Sequence, residues 1–374
     1  MIGRRRLPAP AERYAAATLD GPLLEVTDLR THFRTDRGVV RAVDGVSFSL
    51  EQGRTLGIVG ESGSGKTVLS RSIMGLLPKH NVIRQGSVRF EGRELIDAPV
   101  DELRDLWGAQ MAMVFQDPMT SLNPVMRIGN QITESLLHHL DISKEFARET
   151  AVALLRSVGI PEPERRLRQY PHELSGGMRQ RVMIAIAIAC GPRLLFADEP
   201  TTALDVTVQA QILDLLQQQQ RERYMAMILV THDLGVVAGR TDHIAVMYAG
   251  QIVEKAPTRT LFTAMKMPYT EALIRSIPKL TDPSHTRLRT IGGRPPNLIA
   301  PPKGCRFSPR CPYVQDRCRE EEPPLRPAAE PGHEFRCWFP VGTPEGAEAL
   351  ERNRARAGSV RARVAADGPG PEVR

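Results

Sequence analysis

The residues best suited to chemistry lie in GESGSGKT at 60–67, which fits the spacing G-x-x-x-x-G-K-[ST] throughout. A loop of this kind handles phosphate. Gly60, Gly63 and Gly65 let backbone N–H groups converge on phosphate oxygens without an intervening Cβ, and Glu61, Ser62 and Ser64 complete the cradle. The helix that opens at its end adds its partial positive charge. Lys66 is expected to reach the β- and γ-phosphates, and the Thr67 hydroxyl to ligate Mg²⁺. A second set follows in LLFADEP at 194–200, an apolar run that ends in two carboxylates. Asp198 suits a Mg²⁺ held through water, and Glu199 is placed to polarise an attacking water. The run MILVTH at 227–232 delivers His232. Ligands of open parallel sheets sit at the carboxyl ends of strands, so these three strand ends are expected to meet at one site. The chemistry they suit is transfer of a phosphoryl group to water.

ELSGGMRQR at 173–181 is a second glycine-rich stretch before a helix, without a lysine at the phosphate-loop position. Ser175, Gly176 and Gly177 would aim N–H groups and a hydroxyl at an anion. One chain does not need two cradles for one nucleotide. This stretch is therefore expected to cap a nucleotide held by another subunit.

The elements that must position these groups follow from the apolar pattern. TLGIVG (55–60), LLFAD (194–198), MILV (227–230) and IAVMY (244–248) read as short buried strands. Helical patterns lie between them, one over 66–77 with Leu69, Ile73, Leu76 and Leu77 on one face. Alternation of this kind predicts an α/β fold with a mostly parallel sheet covered on both sides. A domain is expected over 23–265, with an inserted helical subdomain at about 117–189, preceded by a loose leader at 1–22. A proline-rich, cysteine-bearing extension is expected over 266–343, and a tail of little order over 344–374.

Hydrophobic residues make up 41% of the chain and charged residues 25%, as in ordinary globular proteins. No apolar h-region follows the N-terminal arginines, and no run reaches the ~18 apolar residues of a membrane span. The chain is expected in the cytoplasm, with any membrane link made through a partner. The net charge of +7 owes much to Arg4–Arg6 and to RNRARAGSVRAR at 352–363. These read as solvated segments, with acidic lipid headgroups or nucleic acid as the alternative contact; nucleic acid is not expected as a partner.

Taken together, the motifs closely resemble those of ABC-transporter ATPase subunits. GESGSGKT resembles Walker A, LSGGM the family signature, LLFAD Walker B and Glu199 the catalytic glutamate. TTALD at 201–205 resembles the D-loop, so Asp205 is implied to act across the subunit boundary with Ser175, Gly176 and Gly177. Gln116 resembles the Q-loop residue, implied to touch Mg²⁺ and the water. His232 resembles the switch histidine, and Phe33 the aromatic that stacks on adenine. Met178 departs from the glutamine common in the signature. FQDPMTSLNP (115–124), PYTEALIRSIP (268–278) and GCRFSPRCPYVQDRC resemble the dipeptide and oligopeptide importer branch. The resemblance implies the P-loop ABC fold with an N-terminal antiparallel β portion, and a peripheral ATPase at the cytoplasmic face of the cell membrane. Implied partners are two transmembrane permease subunits, a second and often non-identical ATPase, and an extracytoplasmic substrate-binding protein. Nickel chelates or glutathione are alternative cargoes. A soluble ABC ATPase acting on nucleic acid or ribosomes, or a module that binds ATP without hydrolysing it, are alternative functions.

Four of the five cysteines are Cys305, Cys311, Cys318 and Cys337, spaced C-x5-C-x6-C-x18-C. A cytosolic location disfavours stable disulfides. No close C-x2–4-C pair of the structural-zinc kind occurs. A Cys₄ set also suits an iron–sulfur cluster, and proline follows a ligand cysteine in ferredoxins as it follows Cys311 here. The readings are a [4Fe–4S] cluster, to which the importer resemblance also points, a zinc ion, or unligated thiols. Cys190, in an apolar helical run, is expected to be an ordinary buried thiol.

Overall fold

The computed structural model describes residues 21–78, 80–202, 204–277 and 291–366, the side chains as far as 356. All but the last two residues of the expected leader lie outside this set, as do 367–374 of the expected tail.

The strands are β1 (Leu24–Thr35), β2 (Gly38–Leu50), β3 (Thr55–Val59), β4 (Val82–Phe90), β5 (Arg93–Glu94), β6 (Met111–Val114), β7 (Leu194–Asp198), β8 (Ala226–Thr231), β9 (His243–Tyr248), β10 (Gln251–Pro257), β11 (Arg326–Pro327) and β12 (Glu334–Phe335). The first sheet is antiparallel in the order β2-β1-β4-β5. The second has eight strands in the order β11-β12-β10-β9-β3-β8-β7-β6. Its stretch from β9 to β6 is parallel, and the remainder antiparallel.

The apolar runs form strands because the parallel sheet buries both of its faces. Alternate residues enter opposite cores: Leu195, Ala197, Met227 and Leu229 face one cluster, and Leu194, Phe196, Ile228 and Val230 the other. Register sets the strand ends level, since Val59 pairs with Thr231, Asp198 with Val230 and Val114 with Ala197. Gly60, His232, Glu199 and the segment leading to Gln116 therefore leave the sheet along one edge.

Between β6 and β7 the chain is helical, at Pro118–Ser121, Ile128–His139, Lys144–Ser157, Pro163–Arg166 and Gly176–Ala187, with a 3-10 turn at Pro171–Glu173. The Ser143 hydroxyl caps Lys144–Ser157 by accepting the Phe146 N–H at 3.2 Å. Ala147, Ala151, Leu154 and Leu155 then recur at helical spacing and share a core with Ile132 and Leu136.

Two expectations need correction. The helix after the phosphate loop ends at Ile73, because Gly75 adopts φ +71° and breaks it before Leu76 and Leu77. The expected tail of little order instead forms a helix over Pro344–Ala366. Its sequence has few apolar residues but is rich in Ala, Glu and Arg, which favour helix. It also docks: Ala349 is fully buried, and the Asn353 amide donates to the carbonyls of Pro312 and Val314 at 2.8 and 2.9 Å. Among the described residues no helix is long and apolar enough to cross a membrane.

Candidate active site

The phosphate loop turns tightly off β3 into the helix Lys66–Ile73. A Cβ on Gly60 would lie 2.1 Å from the Met247 carbonyl oxygen. Gly65, at φ +103°, would place one 2.1 Å from that of Ala42. Neither position admits a side chain. Lys66 is buried; its Nζ donates to the carbonyls of Gly60 and Glu61 at 2.8 and 3.1 Å and stands 3.6 Å from Glu199 Oε1. Burial pushes the Lys66 pKa down, against the pull of Glu199. Thr67 Oγ1 donates to Asp198 Oδ1 at 3.1 Å. Burial raises the Asp198 pKa despite that bond, and Glu199 adds to the rise.

Glu199 is the hub of the site. Its backbone is left-handed at φ +46°, uncommon for a residue with a side chain, and its N–H donates across to the Val230 carbonyl at 2.9 Å. Its Oε2 accepts from Gln116 Nε2 at 3.1 Å and Thr202 Oγ1 at 3.2 Å, and lies 3.4 Å from His232 Nδ1. Glu61, Ser62, Gly63, Gly65, Lys66, Thr67, Gln116, Glu199 and His232 line one cavity of about 920 Å³. That volume suits a nucleotide-sized ligand. Gly60, Ser64 and Asp198 support this wall from behind: Ser64 and Asp198 are buried, and Gly60 accepts from Lys66.

Phe33, Ser175, Gly176, Gly177 and Asp205 are not among the residues lining this cavity. Phe33 lies on β1, paired with Val40 and Val82. Ser175 caps Gly176–Ala187, its hydroxyl accepting the Met178 N–H at 3.4 Å. Asp205 caps Val206–Glu222, accepting from the Val208 N–H at 2.9 Å. The two helix starts pack together, since a Cβ on Gly177 would lie 3.1 Å from Val208 Cγ1.

The C-terminal extension contributes to the site in a way the sequence does not signal. Leu273, Ser276, Ile291 and Pro295 line the cavity. Tyr269 Oη accepts the Glu61 N–H at 2.9 Å, and Arg310 pairs with the Glu61 carboxylate. These partners lie 208 and 249 residues from Glu61, beyond any local pattern.

The four clustered cysteines are free thiols, Cys318 and Cys337 buried and the others partly so. Burial raises all four pKa values, Cys305 to about 11. The Cys305 N–H donates to the Cys318 carbonyl at 2.8 Å. Among the described residues, no group of three or more His, Cys, Asp or Glu is arranged to hold a metal ion. The ligand set expected from the cysteine spacing is thus not formed as one. Cys190 is buried as expected, against Ser135.

Comparison with known proteins matches this arrangement. Residues 43–202 match the ABC transporter family, and residues 253–318 the oligopeptide/dipeptide transporter C-terminal region. The chain is 51% identical over 319 residues to the oligopeptide transport ATP-binding protein OppD of Salmonella typhimurium, covering 85% of this chain and 94% of that one. The chain belongs to the ABC transporter ATPases, in their oligopeptide/dipeptide branch. This transport ATPase is also 49% identical over 319 residues to the dipeptide transport ATP-binding protein DppD of Escherichia coli, covering 85% and 97%. Its fold resembles a dimeric, post-hydrolysis state of the ATP-binding cassette MJ0796 bound to ADP and Pi, with TM-score 0.57 and 26% identity over 63% of this chain and 99% of that one. CbiO1 of Clostridium perfringens, part of the ABC transporter complex cbiONQ, aligns with TM-score 0.56 and 25% identity, over 66% and 92%.

Proposed function

We propose that this ATPase energises the import of dipeptides or oligopeptides from the cytoplasmic face of the cell membrane, as a translocase. It would work with two transmembrane permeases, a second ATP-binding subunit and an extracytoplasmic substrate-binding protein. The observation that carries the reading is the meeting of Lys66, Gln116 and His232 on the Glu199 carboxylate. Glu199 accepts the proton of, or orients, the attacking water. Lys66 faces the transferring phosphate, and His232 contacts it from the end of β8. Gln116 reports occupancy to the helical subdomain at about 117–189 that follows it. Thr67 and Asp198, bonded at one edge of the cavity, fit a Mg²⁺ ion, which when bound neutralises phosphate charge. Ser175, Gly176, Gly177 and Asp205, absent from the cavity of their own chain, serve the nucleotide of the neighbouring subunit. Phe33 is assigned to the adenine. The test is labelled-peptide uptake in a deletion strain. Wild-type chain restores it and Glu199→Gln does not; undiminished peptide uptake in the deletion strain refutes the cargo.

The reading includes a resident [4Fe–4S] cluster on Cys305, Cys311, Cys318 and Cys337, with zinc as the alternative. The support is the chemistry of the donor set, four cysteines of the C-terminal extension whose thiols are all buried or partly buried. Iron, sulfide and zinc analysis after anaerobic purification decides it, with Cys311→Ser as control; a metal-free wild type leaves plain thiols.

A further inference from the structure

Arg310 lies between Cys305 and Cys311 on the 3-10 turn Ser308–Arg310, and its guanidinium reaches the phosphate loop. Nη1 donates to Glu61 Oε2 at 2.6 Å and Nη2 to Oε1 at 2.9 Å, a two-point pairing. The Arg310 side chain is 2% exposed and that of Glu61 27%. The guanidinium is fixed from behind: Nε donates to the Gly292 carbonyl at 2.9 Å, Nη2 to that of Ile291 at 3.2 Å and Nη1 to Tyr248 Oη at 3.3 Å. The rings of Tyr248 and Phe307 lie 5.8 and 5.9 Å from it. A second arginine, next to Cys305, ties the same turn down, since Arg306 donates to Asp44 and to the Ala249 carbonyl.

Glu61 follows Gly60 directly and lines the cavity. Its carboxylate puts a negative charge at the rim of a site whose ligand is a polyanion. Unpaired, that charge repels the phosphates. At the intermediate dielectric of a partly buried rim, one such charge changes affinity about tenfold. We propose that Arg310 is a positioning residue for ATP binding, which neutralises Glu61 and holds it aside so that the phosphate loop accepts the nucleotide. The C-terminal extension is then a functional wall of the ATP site. The inference rests on the ATPase reading above. Because Arg310 acts through Glu61, it affects ground state and transition state alike, and its loss falls on KM with kcat preserved.

The experiment is titration of the full chain with Mg-ATP, together with steady-state kinetics. Arg310→Met raises Kd and KM about tenfold and leaves kcat within about twofold. Glu61→Gln alone binds about threefold more tightly than wild type, because Arg310 is then an unpaired cation beside the phosphates. The double variant, with neither charge, returns to within about threefold of wild type. Arg310→Lys keeps the charge but loses the two-point pairing, so its Kd falls between those of wild type and Arg310→Met. Wild-type affinity in Arg310→Met overturns the proposal, as does a loss that persists in the double variant, which makes Arg310 only a structural tie. If Arg310→Met does not fold, the single Glu61→Gln still decides: weakened binding there overturns it. Lys66→Ala separates the two readings. A wild type that binds no ATP defeats the ATPase reading itself, whereas ATP binding lost in Lys66→Ala but indifferent to Arg310 and Glu61 defeats this inference alone.

Discussion

Glu199 is reached by three side chains from separate parts of the chain and by Thr202 from its own turn, and it sits in a backbone region that residues with a Cβ seldom occupy. Strain of that kind persists where the surroundings fix it, here through the N–H bond to Val230 on the neighbouring strand. The carboxylate is therefore aimed before any nucleotide arrives. A positioned base contributes about 10²–10⁴ in rate, or roughly 3–5 kcal/mol of barrier. Glu199→Gln is expected to bind ATP with near wild-type affinity while phosphate release slows by about that factor, as nucleotide titration and single-turnover kinetics will show. Asp198 and Glu199 were legible as a pair because two acids ending an apolar run have few structural uses. Gln116 was legible only through family resemblance, since a glutamine in an exposed loop carries no chemical signal of its own.

At the scale of elements, the clearest features in the sequence were those with unmixed apolar composition. LLFAD maps onto β7 residue for residue, and IAVMY onto all but the first residue of β9. β6 escaped notice: MAMV lacks the β-branched density that marks a strand, yet all four residues are buried. The docked helix Pro344–Ala366 escaped for the opposite reason, since its order comes from helix propensity and a few bonds to 312–315, with little apolar surface. The phosphate loop is where element geometry and function coincide. Gly65→Ala forces a Cβ against the Ala42 carbonyl at a φ that alanine disfavours. The loop must then move, and ATP affinity is expected to fall by about tenfold or more, while urea unfolding shows a loss of about 1–3 kcal/mol. Unchanged affinity in that variant would mean the loop tolerates displacement and is not the cradle.

At the scale of the whole molecule, one cavity holds the phosphate loop, Gln116, Glu199 and His232, while Ser175, Gly176, Gly177 and Asp205 lie outside it. Both sets were legible as motifs, and two glycine cradles in one chain are what raises the expectation of a second subunit. The binding of the C-terminal extension to the phosphate loop was not legible, because Arg310 and Glu61 meet only through the fold. Hydrolysis of ATP between two subunits, as proposed above, requires the signature of one to complete the phosphate loop of the other. The most direct test is phosphate release by the assembly extracted from membranes with Ser175→Ala in this chain, measured beside ATP titration of the same chain. The expected result is unchanged ATP affinity at the variant's own phosphate loop and release reduced about tenfold or more at the site facing Ser175. Full phosphate release with Ser175→Ala, or a strictly monomeric chain hydrolysing ATP at the full rate, would contradict it.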